Sequence, residues 1–149
     1  MRSLLRLMWL PLILALGVGI PAFAQKNSSE VPRVVLKGYD PVAYFTASRP
    51  VQGSPKLSYD WDGERYYFSS AENRSRFAAD PERYAPQFGG YCTGSMARKV
   101  KVEADPEAWI ISEGKLYVFG QPKFAEMARK DPQYLASRIP LATANWRKK

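Results

Sequence analysis

The chain has no histidine and a single cysteine, Cys92. Without histidine there is no Ser-His or Cys-His pair, and both the commonest general base and the commonest transition-metal ligand are missing. Most hydrolytic mechanisms lose their usual base, so the composition argues against an enzyme. One cysteine cannot form an intramolecular disulfide, so stability has to come from the core. It also excludes a Cys-x-x-Cys dithiol cycle, although it permits a disulfide-linked dimer. No basic stripe interleaves with aromatics, which argues against nucleic acid as a partner. Outside the first 24 residues there is no long apolar run, so no stable membrane span is expected in the mature chain.

The first 24 residues have the pattern of a secretory signal. Arg2 and Arg6 form the charged start, Leu7 to Ile20 a short apolar stretch, and Ala22-Phe23-Ala24 a cleavage site. Cleavage after Ala24 predicts a periplasmic or secreted protein. Removing 24 of the 149 residues leaves 125, enough for one domain with one sizeable core. The signal carries two arginines and no acid, so the net charge falls from +8 to +6. Residues 25–33 are expected to be a flexible polar arm, and residues 34–149 a single domain. A basic exported protein is suited to anionic surfaces or acidic partners. The basic runs Arg98-Lys99-Val100-Lys101 and Arg147-Lys148-Lys149 read as a solvated strand face and a solvated tail.

The middle of the chain is the most informative. Leu57, Tyr59 and Trp61 alternate with polar residues at the period of a half-buried strand. Asp62-Gly63 supplies a type I′ turn, and Tyr66-Tyr67-Phe68 the returning strand. Ser69 to Glu72 fits a capping box ahead of a helix from about Ser70 to Ala79, with Phe77 and Ala78 facing inward. Asp80-Pro81 ends that helix and starts another. The plan recurs 51 residues later: Gly63 aligns with Gly114, Tyr66 with Tyr117, Phe68 with Phe119, and Asp80-Pro81 with Asp131-Pro132. These signals predict an α+β fold of two ββα (hairpin–helix) units, an internal duplication. The two hairpins are expected to join in one four-stranded antiparallel sheet with helices on one face. Asp-Pro also occurs at 40 and 105, and is read at all four places as a helix start. The aromatics Tyr39, Tyr44, Phe45, Tyr59, Trp61, Tyr66 and Trp109 are expected to pack across strands.

These motifs resemble the YHS domain family, small modules of exported, membrane and metal-related bacterial proteins. Gly38-Tyr39-Asp40-Pro41-Val42 is similar to the family's opening. Gly63 to Ser70 is similar to its Gly-x-x-Tyr-Tyr-Phe-x-Ser core, and Phe77 to Tyr84 to its Phe-x-x-Asp-Pro-x-x-Tyr ending. The extension from Gly89 to Tyr117 resembles an exported subgroup of YHS domain-containing proteins. The resemblance implies a link to metal handling. In metal-binding members cysteines occupy the positions that here are Ala43, Ser69 and Asn73. None of these three supplies the thiolate that a soft metal favours.

Gly89, Gly90, Tyr91 and Cys92 form the candidate ligand-binding turn, since paired glycines allow close backbone approach. Three readings of function stay open. The first is a non-catalytic binding or accessory module for an unknown protein or small molecule, linked to metal or redox homeostasis in the cell envelope. The second is a thiol redox protein or sensor acting through Cys92, with Arg98-Lys99 or a helix N-terminus favouring thiolate. The third is a weak Cu(I) binder using Cys92 and Met96, four residues apart on one helical face. A small structural cysteine packed under the sheet is the plain alternative to the last two.

Overall fold

The computed structural model describes residues 31–147. The expected signal, residues 25–30 of the arm, and Lys148 and Lys149 lie outside the described residues. Arg33, assigned to the end of the arm, is already in a strand: β1 is Arg33–Val34. The chain then turns left-handed, with φ of 52° at Leu36, 52° at Lys37 and 85° at Gly38. Helix α1 (Ala43–Thr46) leads to β2 (Ser54–Trp61) and β3 (Glu64–Phe68). The turn between them has positive φ at both Asp62 and Gly63, as type I′ geometry requires. Helices α2 (Ala71–Ala79) and α3 (Pro81–Tyr84) complete the first unit.

The second unit follows the same order. A left-handed turn at Phe88, Gly89 and Gly90 leads to α4 (Thr93–Met96). Strands β4 (Asp105–Ser112) and β5 (Lys115–Phe119) meet at Glu113-Gly114, both with positive φ. Helices α5 (Pro122–Lys130), α6 (Pro132–Ala136) and α7 (Ile139–Trp146) follow. The hairpin registers agree at the same spacing. Trp61 faces Glu64 as Ser112 faces Lys115, and each hairpin shifts register between its first and second pairs, at Ser54/Ser58 and at Asp105/Trp109.

The α+β class and the two hairpin–helix units are present, but the single four-stranded sheet is not. One sheet has three strands in the order β1-β3-β2, with β1 parallel to β3, and the other has two, β4-β5. Strand β1 occupies the free edge of β3. The second hairpin instead packs face-on. Leu116 and Val118 of β5 point into one buried cluster with Tyr44, Tyr66, Phe68 and Phe77. Tyr117 and Phe119 point into another with Phe88, Cys92, Met96 and Leu135. A strand buried on both faces serves as an inner wall between two cores, and strand alternation delivers one set of side chains to each.

Several local expectations need correcting. The cap of α2 is Ser70, whose Oγ accepts from Asn73 N–H at 3.1 Å; Ser69 is not the cap. Glu72 does not reach back to close a capping box but pairs with Arg76, one turn on, at 2.6 Å. Ala78 faces solvent, leaving Phe77 as the buried residue of α2. Asp80 and Asp131 do cap helices that begin with Pro81 and Pro132. Asp105 does not start a helix: it opens β4, where its carboxylate accepts from Glu107 N–H at 3.0 Å. Residues 98–101 form a turn and its exit, not a strand. The aromatics pack as expected. Phe77 contacts the rings of Tyr59, Trp61, Tyr66 and Phe68, with centroids 4.6–6.2 Å away.

Two buried phenols bear on stability at high pH. Burial is the largest cause raising the pKa of both Tyr44 and Tyr66, reinforced by nearby carboxylates, Glu107 for Tyr44 and Glu64 for Tyr66. The fold therefore holds both neutral beyond the ordinary tyrosine value of about 10. Their contribution is fully present below that pH and is lost as the pH rises above it, because the unfolded phenols ionise first. The urea midpoint should be flat near neutrality. Above about pH 10 it should fall, by up to about 1.4 kcal/mol per pH unit for each phenol. Tyr66→Phe should reduce that slope, and an unchanged slope in Tyr66→Phe and Tyr44→Phe would assign the alkaline loss to other groups.

Candidate functional site

The two units can be compared at the residue that follows each left-handed turn. Tyr39 bridges Gln52, and the next residue, Asp40, donates its N–H to Val51 O at 2.9 Å. Tyr91 bridges Glu103, and the next residue, Cys92, donates its N–H to Val102 O at 2.8 Å. Asp40 and Cys92 therefore hold equivalent places.

The place in the first unit is filled. Asp40 is fully buried, and its carboxylate accepts four hydrogen bonds. Val42 N–H reaches Oδ1 at 2.9 Å, while Ser69 N–H at 2.9 Å, the Ser69 hydroxyl at 2.6 Å and the Asn73 amide at 2.7 Å reach Oδ2. A buried carboxylate is tolerated only with such a set of donors. Ser69 and Asn73 are two of the three positions where the resemblance implied cysteines. The third, Ala43, is buried at the start of α1 and donates its N–H to Asp40 O at 3.3 Å. A methyl group, a hydroxyl and an amide committed to a carboxylate do not fit a soft metal. Among the described residues no group of three His, Cys, Asp or Glu side chains is placed to hold a metal ion.

The place in the second unit is open. Cys92 is only 4% exposed and lies at the N-terminal cap of α4, in the same buried cluster as Met96. The turn does not project the thiol into solvent. Instead Cys92 forms part of the floor of a groove of about 380 Å³, lined also by Gly94, Arg98, Phe124, Tyr134 and Leu141 among others. Small residues make the space. A Cβ at Gly94 would meet nothing nearer than the Tyr134 hydroxyl at 4.0 Å, whereas Gly120 packs against Cys92, where a Cβ would stand 3.8 Å from the sulfur. Asn145 of α7 donates to Met96 O at 3.0 Å and Ala97 O at 3.2 Å, closing the C-terminal end of α4. Met96 sits one turn from Cys92, its N–H donating to Cys92 O at 2.9 Å.

Gly89, Gly90 and Tyr91 face elsewhere. A Cβ at Gly90 would lie 2.8 Å from Val35, so glycine is required by close packing. The Gly89 carbonyl accepts from Arg33, whose guanidinium stacks 4.3 Å over the Tyr91 ring. Arg33 also pairs with Glu64 at 3.1 Å and Glu103 at 2.9 Å. Burial alone would lower the ionisation of Arg33. The Glu64 hydrogen bond and the charges of Glu103 and Glu64 outweigh it and raise the guanidinium above its ordinary value. The turn is thus an internal anchor for β1, while the open surface lies on the other side of Cys92. The sequence reading missed Phe124, Tyr134, Arg138 and Leu141. The available signal was the largely apolar run Ile139 to Trp146, opened by Pro140, which marks a further helix, α7, after the repeated plan ends.

Removing the Asp40 carboxylate should be costly. Asp40→Ala leaves the buried Val42 N–H unsatisfied, at about 1–3 kcal/mol, and removes the acceptor shared by the half-buried Asn73 amide and the exposed Ser69, where water can partly replace it. We expect a loss of about 2–3 kcal/mol in denaturant unfolding. Ser69→Ala removes one donor and leaves the acceptor partly served, and should cost about 1–2 kcal/mol. Equal, small losses in both variants would show that the cluster is not tightly coupled.

Residues 42–88 match the family model of the YHS domain. No curated protein and no solved structure matches the chain. The matched stretch runs from the residue before α1 to the second left-handed turn. It contains Ser69 and Asn73, begins two residues after Asp40, and ends four residues before Cys92. The groove is therefore built mainly outside it. Over residues 42–88, built on the first hairpin–helix unit, the chain carries a YHS domain.

Proposed function

We propose that this chain is an exported, non-catalytic binding module of the YHS type, and that its ligand seats in the groove over Cys92. One observation carries this reading. At equivalent places, the first unit spends a buried carboxylate and three side-chain and backbone partners on filling the space, whereas the second leaves it open. The groove volume falls at the lower end of the range of about 300–1,000 Å³ common for small-molecule sites. Export is supported by the charged start, apolar stretch and Ala22-Phe23-Ala24 pattern.

A thiol function is the second reading, favoured by the position of Cys92 on the groove floor. An occupant of the groove would lie beside the only thiol of the chain. Redox homeostasis in the envelope would then act through an oxidant or partner thiol entering there. Copper binding by Cys92 and Met96 has two sulfurs on adjacent turns and is the reading with the fewest ligands.

The test uses a neutral apolar fluorophore, N-phenyl-1-naphthylamine, titrated into the purified protein. Gly94→Trp puts a large side chain into the open space, at a position where the backbone is not left-handed. Binding should weaken about tenfold or more, a loss of about 1.4 kcal/mol. Cys92→Ser should keep probe binding within about twofold if the groove acts by shape. Binding that survives Gly94→Trp in a folded protein would overturn the proposed site. Activity with a thiol oxidant that is fast in the wild type and absent in Cys92→Ser would move the assignment to the second reading.

A further inference from the structure

The groove carries charge of one sign. Its lining includes Arg98 and Arg138 and no carboxylate. The arginines that form ion pairs among the described residues are Arg33, Arg65 and Arg76, all elsewhere. Arg138 is held in place without being neutralised. Its guanidinium carbon lies 3.6 Å over the Tyr134 ring, and Nη1 donates to Tyr134 O at 2.7 Å and Ser137 Oγ at 3.2 Å. A guanidinium has five N–H donors, so that arrangement orients the group and leaves donors over. Stacking on a ring also removes side-chain freedom before any ligand arrives, which lowers the cost of binding. Beside the cations the wall is apolar, with Phe124 half-buried and Leu141 56% exposed.

We propose that the groove takes a small free amphipathic anion, an aromatic or branched aliphatic body bearing one carboxylate or sulfonate. This rests on the reading of the groove as the binding site. The acid group sits on Arg138 and Arg98, where a planar fork matches two oxygens. The body lies against Phe124 and Leu141 and covers the floor at Cys92. A bare inorganic anion would leave the apolar wall wet, and a neutral apolar molecule would cover the half-buried Arg138 without giving its charge a partner. The groove, about 380 Å³, suits a small body of two or three rings or their aliphatic equivalent.

Two probes share one ring system and differ by a single sulfonate: 8-anilinonaphthalene-1-sulfonate and N-phenyl-1-naphthylamine. At about 0.05 M salt the anionic probe should bind at least about fivefold tighter than the neutral one. Raising the salt to about 0.5 M should close that gap by weakening the anion alone. Arg138→Gln should also close it, by weakening the anionic probe. Lys99→Gln, which removes the same charge from the neighbouring turn, should leave the gap in place. The salt titration uses the wild-type protein and decides the matter even where Arg138→Gln folds poorly. Equal affinity for both probes at low salt, with both lost in Gly94→Trp, overturns the anion preference and leaves the binding module standing. Retention of both probes in Gly94→Trp overturns the groove itself.

Discussion

A carboxylate removed from water as completely as that of Asp40 must be met by donors, and those donors come from distant parts of the chain. Ser69 lies 29 residues away and Asn73 lies 33 residues away. Their hydrogen bonds tie the segment before α1 to the junction of β3 and α2. That junction places Phe77 under the hairpin, where four aromatic rings surround it. The core of the first unit thus depends on a polar knot at its edge, and the knot forces Ser69 out of the capping role that its local sequence suggests. Local preference for a capping box loses because satisfying a buried charge is worth more than one reciprocal cap.

The same knot accounts for the three positions where the sequence resemblance implied metal ligands. Two of the three still converge, but they converge on a carboxylate. Hydroxyl and amide groups that neutralise Asp40 through hydrogen bonds have little left to offer a cation, and thiolates are absent. The second unit repeats the backbone without the knot. Cys92 stands at the corresponding place, a small apolar side chain that asks for no donors, and Gly94 leaves space open beside it. One backbone plan therefore has a closed polar version and an open version with a thiol floor. The second hairpin stands between the two cores, with Leu116 and Val118 on one side and Tyr117 and Phe119 on the other. The pleat alone assigns these four residues to two clusters.

Charge is distributed with similar economy. Arg33, Arg65 and Arg76 are paired with acids and act as anchors. Arg138 is fixed by an aromatic face and two neutral acceptors, which orient it, and among the described residues no carboxylate pairs with it. Orientation without neutralisation is the condition under which a cation is available to a ligand, since neither ordering entropy nor a competing carboxylate stands in the way.

Much of the framework was legible along the chain because its signals are local. The Asp62-Gly63 turn, the alternation through Leu57, Tyr59 and Trp61, the Asp80-Pro81 and Asp131-Pro132 helix starts and the spacing of the two units each depend on residues a few positions apart. They identify the hairpin–helix plan and the YHS motif. What they do not encode is how the hairpins meet. One continuous sheet and two sheets sharing a wall use the same strands, and the choice rests on β1 taking the edge of β3 and on long-range packing of β5. The candidate site belongs to that second category. Cys92 stood out in the sequence by its singularity, but its burial, the open space beside Gly94, and the meeting of Arg98 with Arg138 and Phe124 arise only when α4, α5 and the α6–α7 junction come together. Burial and uncompensated charge are properties of neighbours in space, and for these residues the neighbours lie tens of positions away.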